Sequence, residues 1–256
     1  MWVMPGLALA HPGLHEQVHV LNERLKKQPT YQLYAQRAHL YFEGGQLDLA
    51  LKDLDVASKL GPKEPLLFEY GNIYLAKGSS AKALKYFNQF IQFNDKLPEV
   101  FLSRARAFKQ LGRSEEALRD LKHSLDLQAS PPPGLFIEAA NLVYSGKDRN
   151  LQPAIDLLDE GIQRAGVQGQ LQERAIELLM VHQNHFDALE RMQRLGKERK
   201  HNVFWRFDYA QLLIKSGKKS EAQNELKVAL REARGFNATA VTDLRARMEK
   251  QLSELK

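Results

Sequence analysis

The sequence predicts an all-helical α-solenoid of about six stacked helix pairs, and three observations carry that prediction. Small residues recur at Ala38, Gly71, Ala105, Ala140, Ala175 and Ala210, at intervals of 33 to 35 residues. A second small set, Ala50, Ala83, Ala117, Ala154, Ala188 and Ala222, follows the first by 12 to 14 residues. Four residues beyond each of these stands a large apolar side chain (Leu54, Phe87, Leu121, Leu158, Met192, Leu226), with Ala57, Phe90, Ser124, Gly161, Leu195 and Ala229 three further on. Offsets of three and four put these residues on one helical face. A helix pair of about 34 residues cannot bury such a stripe alone, so neighbouring pairs must stack.

The elements follow in order. Residues 1–10, MWVMPGLALA, end in the small-x-small pattern Ala8-Leu9-Ala10 and read as the remnant of a secretion signal. The alternative is an apolar tail packed on the first helix of a cytoplasmic chain. Export to the periplasm or beyond is the preferred reading, because an apolar leader of this kind is unusual for a cytosolic start. Residues 11–28 form an N-terminal capping helix with Leu14, Val18, Leu21 and Leu25 at helical spacing.

The repeats occupy residues 29–233, approximately as 31–63, 64–97, 98–131, 133–167, 168–201 and 202–235. Within each, the first helix carries an apolar residue three after its small one: Tyr41, Tyr74, Phe108, Val143, Leu178 and Leu213. Gly44-Gly45, Lys77-Gly78, Gly112 and Gly217 mark turns between the two helices of a pair. The fourth unit has two extra residues within 145–150. The fifth has one extra, expected near Asn184-His185, and lacks a turn glycine. Pro131-Pro132-Pro133 forces a stop between the third and fourth units. Residues 236–256, with Val241, Leu244, Met248 and Leu252, form a C-terminal capping helix.

Tyr34, Ala38, Tyr41, Ala50, Leu54, Ala57 and Pro62 in the first unit, and Leu67, Gly71, Tyr74, Ala83 and Phe87 in the second, resemble the tetratricopeptide repeat (TPR) family. The resemblance covers about four fifths of the chain. It implies a right-handed TPR superhelix whose first helices line a concave groove, and a bacterial protein that holds a peptide or protein segment there without a cofactor.

Composition narrows the remaining classes. With 43% hydrophobic and 27% charged residues, the 256-residue chain carries enough apolar side chains for a core. Its mean hydropathy is −0.45, and no apolar run reaches the length of a membrane-crossing helix. The absence of cysteine removes disulfides, thiolate metal sites, catalytic thiols and the modified cysteine of a bacterial lipoprotein. The net charge of +6 arises from residues 197–256, which hold 14 Lys and Arg against 8 Asp and Glu. A basic terminal third attracts nucleic acid in principle. The interleaved Glu221, Glu225, Glu232 and Glu249 argue instead for solvated helix faces.

His15-Glu16-Gln17-Val18-His19 matches H-E-x-x-H, which on a helix places two histidines on one face beside a glutamate. Its context opposes a zinc peptidase: Asn22 and Leu25 replace the downstream Gly and His of the extended form, and Val18 and Leu21 are needed for packing. A second metal reading uses His11 as the terminus left by cleavage after Ala10, with its amine and imidazole chelating copper and with His15 and His19 nearby. The default is that all three are exposed histidines and hold no metal. No nucleophile elbow, P-loop or dinucleotide fingerprint is present, so neither catalysis nor a small-molecule substrate is expected.

A protein- or peptide-binding scaffold is therefore the expected function. The alternatives are a periplasmic metal-handling protein using the N-terminal histidines and a nucleic-acid binder using the basic third. Residues beside the small position on the first helices are expected to face the groove: Gln36 and His39, Glu69 and Asn72, Ser103 and Arg106, Glu138 and Asn141, with Tyr144 one turn on. Amides, both charge signs and one aromatic suit an extended polar peptide. Only Asn72 and Arg106 resemble parts of the basic clamp by which some TPR proteins grip a C-terminal carboxylate.

Overall fold

The computed structural model describes residues 12–146, 150–166, 169–199, 202–236 and 238–255. These form fourteen α-helices and one 3-10 turn, with no strand among the described residues. Contacts divide the chain into two compact units that meet at Ala129 and Ser130, beside the triple proline. The first holds α1 (Pro12–Lys27), α2 (Tyr31–Glu43), α3 (Leu47–Leu60), α4 (Leu67–Ala76), α5 (Ser80–Phe93), α6 (Pro98–Gln110) and α7 (Ser114–Asp126), with the 3-10 turn at Glu64–Leu66. The second holds α8 (Pro133–Tyr144), α9 (Leu151–Ala165), α10 (Gly169–Val181), α11 (His185–Arg199), α12 (Val203–Lys215), α13 (Lys219–Ala233) and α14 (Thr239–Glu254).

In both units each first helix packs most extensively on the second helix that follows it. The repeat positions explain why. Every residue of the two small sets is buried, and Leu54, Phe87, Leu121, Leu158 and Leu226 have no measurable exposure. Gly71 shows how close the approach is: a Cβ there would lie 2.3 Å from the Phe87 ring. At the apolar position three residues on, Phe108, Leu178 and Leu213 are buried, but Tyr41, Tyr74 and Val143 are only half-buried.

The turns are also shared. Gly45, Gly78, Gly112 and Gly217 all have φ between 71° and 77°. The next residue's amide bonds five residues back: Gln46 to Tyr41, Ser79 to Tyr74, Arg113 to Phe108 and Lys218 to Leu213, at 2.7–2.9 Å. This is the left-handed helix end that satisfies the last carbonyls. The fifth pair makes the same turn without glycine. Gln183 sits at φ 56°, and the Asn184 amide bonds the Leu179 carbonyl at 2.9 Å.

Ala188 follows Gln183 by the five residues seen after each turn glycine. The extra residue of this unit, expected near Asn184-His185, is therefore accommodated ahead of the turn, between Ala175 and Leu179 in α10. The insertion in the fourth unit falls partly outside the described residues.

At the termini, Leu21 and Leu25 of α1 are buried with Leu33 beneath them. Val241, Leu244 and Met248 of α14 join the core of α12 and α13. Among the described residues no helix is long and apolar enough to cross a membrane.

Candidate functional site

The first helices of the first unit, α2, α4 and α6, present the row that best fits a binding face. His39 and Arg106, each one residue past the small position, are exposed, and Asn72 between them is half-buried. His39 spans two helices. Its Nε2 lies 3.4 Å from Glu43 Oε1 and its Nδ1 3.9 Å from Glu69 Oε1 on α4. Burial pushes the Glu69 carboxyl above its ordinary range, and repulsion from Glu43 adds to the rise while His39 opposes it.

The other expected residues divide. Gln36 is exposed at the edge of a groove between α1 and α2, and Ser103 is buried at 7% exposure, so it packs rather than facing a ligand. Glu138, Asn141 and Tyr144 on α8 are half-buried in the second unit. Asn141 Oδ1 accepts from Arg174 Nε at 2.7 Å, and the Tyr144 ring meets His182 edge-on at 5.6 Å. Both are committed to joining α8 to α10.

What positions the face went unforeseen. Arg37, immediately before Ala38, donates through Nε and Nη2 to both oxygens of Asp53 at 2.6 and 2.7 Å, and through Nη1 to Asn22 Oδ1 at 2.6 Å. It therefore ties α1, α2 and α3 together. Tyr34 and Tyr41 flank the guanidinium, with ring centres at 5.5 and 5.6 Å. Arg104, immediately before Ala105, repeats the arrangement with Asp120, Asn88, Phe101 and Phe108, tying α5, α6 and α7. Forked pairs of this kind fix orientation as well as distance.

In the repeat between them the same two positions hold Tyr70 and Tyr86, stacked at 5.0 Å, with Tyr74 against the second ring at 5.4 Å. The Tyr70 hydroxyl donates to Asp55 Oδ1 at 2.7 Å, and burial together with that bond pushes the phenol up. The sequence signal was available: Arg before the first small residue and Asp three after the second, present in the first and third repeats only.

His15 and His19 lie exposed on α1, while His11 and residues 1–10 lie outside the described residues. No group of three or more metal-ligating side chains comes together among the described residues. In the basic third, Arg206 bonds Glu225 and Glu232 at 2.7 and 2.8 Å, and Lys218 and Lys250 lie near Glu221 and Glu254. The Lys218 and Lys250 pairs are those of solvated helix faces, whereas the Arg206 side chain, 12% exposed, joins α12 to α13 from within the packing.

Residues 65–96 and 98–131 match the family model described as tetratricopeptide repeat. Over 121 residues the chain is 30% identical to the TPR repeat-containing protein YpiA of Bacillus subtilis. That match takes in 46% of this chain and 27% of the relative, so the chain spans about a quarter of the relative's length.

Among solved structures, the C-terminal part of a TPR repeat-containing protein from Cytophaga hutchinsonii is similar with a TM-score of 0.70 at 15% identity, covering 90% of this chain and 94% of that one. A tetratricopeptide repeat protein from Parabacteroides merdae gives 0.53 at 18% identity, covering 92% of each chain. A chain of the APC/C hetero-tetramer Cut9–Hcn1 gives 0.52 at 14% identity, covering 94% of this chain and 47% of that one. At these identities the structures share the fold.

Proposed function

Because the chain belongs to the tetratricopeptide repeat family, we propose that it is a scaffold that binds an extended, polar peptide segment of another protein across the exposed face of α2, α4 and α6. The observation that carries this reading is the row His39, Asn72 and Arg106 on three successive first helices, two of which, α2 and α6, are anchored by the Arg37 and Arg104 clamps. A surface made of an imidazole, an amide and a guanidinium, with Glu69 among them, matches backbone carbonyls and carboxylates better than it matches an apolar helix. The fold similarity to a chain of the Cut9–Hcn1 hetero-tetramer is in keeping with protein partners. The role is binding rather than catalysis.

The test uses a partner captured from the native source and then purified. Asn72→Ala combined with Arg106→Ala is expected to weaken its binding at least roughly tenfold, about 1.4 kcal/mol. Thermal stability should barely change, since neither side chain belongs to the core. A double mutant that folds normally and binds as tightly as wild type would show that this face is not the site.

A further inference from the structure

The groove between α1 and α2 has a volume of about 750 Å³, and its lining combines Val20, Leu21, Ala35 and Leu40 with Glu16 and Gln36. Among the described residues nothing covers it. Two residues either side of the small position, Ser103 and Ala107 of α6 are buried at 7% and 0% exposure. The same positions of α2 hold Gln36, which is exposed, and Leu40, which is half-buried. Val20 on α1 is 50% exposed. A face that is apolar at its centre and open to water gains by burial against a second surface.

The charge pattern of α1 indicates what that second surface is. Glu16, Val20 and Arg24 follow one another at intervals of four, so they form one row along the helix. All three are exposed, and neither Glu16 nor Arg24 makes an ion pair among the described residues; the pair that α1 does form joins Lys26 to Glu23. The row runs acid, apolar, base. Laid antiparallel on itself with Val20 at the centre, it sets each Glu16 against the partner's Arg24. A parallel copy would set like charges together, which costs rather than gains.

We propose that this face is where two copies of the chain associate, with the two α1–α2 hairpins packed as four helices about a two-fold axis. One surface patch then serves both copies, as an isologous contact requires. Val20 meets the partner's Val20 at the axis, and Ala35 and Leu40 add apolar surface from α2. The inference does not rest on the peptide-binding reading. The two surfaces share His39, which lines the groove, and the peptide face is probed at Asn72 and Arg106.

Sedimentation equilibrium on the full chain tests this. The wild type is expected to approach twice 29.2 kDa as its concentration rises. Glu16→Arg and Arg24→Glu, each at an exposed side chain, should each weaken self-association at least roughly tenfold and leave the helical circular dichroism unchanged. The first variant presents only bases in the row and the second only acids, so mixing them restores both opposite-charge contacts. The mixture should therefore form a heterodimer about as tightly as the wild type associates with itself.

Three outcomes overturn the proposal. The first is a wild-type mass that stays at 29.2 kDa up to roughly 100 μM, which leaves the groove to another occupant. The second is a dimer unaffected by either substitution, which places the contact elsewhere. The third is a pair of monomeric variants that stay monomeric when mixed, which shows that Glu16 and Arg24 do not face each other across the two copies.

Discussion

Single residues set the local cost of each repeat. Gln183 takes a left-handed conformation that a side chain disfavours by roughly 1–2 kcal/mol, yet the turn bonds match those at the four glycine turns. Gln183→Gly should therefore raise stability by about 0.5–1 kcal/mol, the strain relieved less the extra freedom glycine has when unfolded. A urea midpoint that falls would refute it.

Glu69 provides a pH test. Its folded pKa lies above the unfolded value, so the folded state holds the proton more tightly, and stability declines as pH rises through that window. Glu69→Gln should be more stable than wild type at pH 7, by roughly a few tenths of a kcal/mol because water still reaches the group. The two proteins should converge below the ordinary glutamate pKa, where wild type is protonated in both states. Equal stability at both ends of the titration would remove the burial argument.

Helices are joined by two devices, and they differ in how readily they can be read. The small-residue crossings follow from composition at fixed spacing. Ala117, with no exposure, lies on α7, which packs on α6, and Ala117→Leu is expected to cost about 1–3 kcal/mol through overpacking. An unchanged denaturation midpoint would contradict that placement. The polar clamps bring together Asn22, Arg37 and Asp53, and Asn88, Arg104 and Asp120, each from three helices. Asp53 and Asp120 are each 5% exposed, so removing either leaves a largely buried guanidinium unpaired, which is costlier than losing a surface pair. The clamps anchor α2 and α6, the helices that carry His39 and Arg106.

At the scale of the molecule, stacked pairs contact mainly their neighbours, so stability is close to a sum of local terms. The first unit carries both polar clamps within itself. Residues 1–129 alone are accordingly expected to fold, with strong helical circular dichroism and a cooperative urea transition. A fragment without helical structure would show that the repeats of this unit depend on the second.

The sequence by itself determined the all-helical class, the helix-pair period, the buried small positions and four of the turns, because close packing at helical spacing leaves a strictly periodic trace. Only the tertiary structure decided which polar residues emerge. Ser103 and Arg106 lie three apart on α6, and one is buried while the other is exposed. The placement of the extra residue of the fifth unit and the commitment of Asn141 and Tyr144 to α10 were likewise settled there. The physical reason is the same in each case. Apolar and small side chains are selected by one helix crossing, but a polar side chain is free to solvate or to bond, and that choice depends on a partner dozens of residues away.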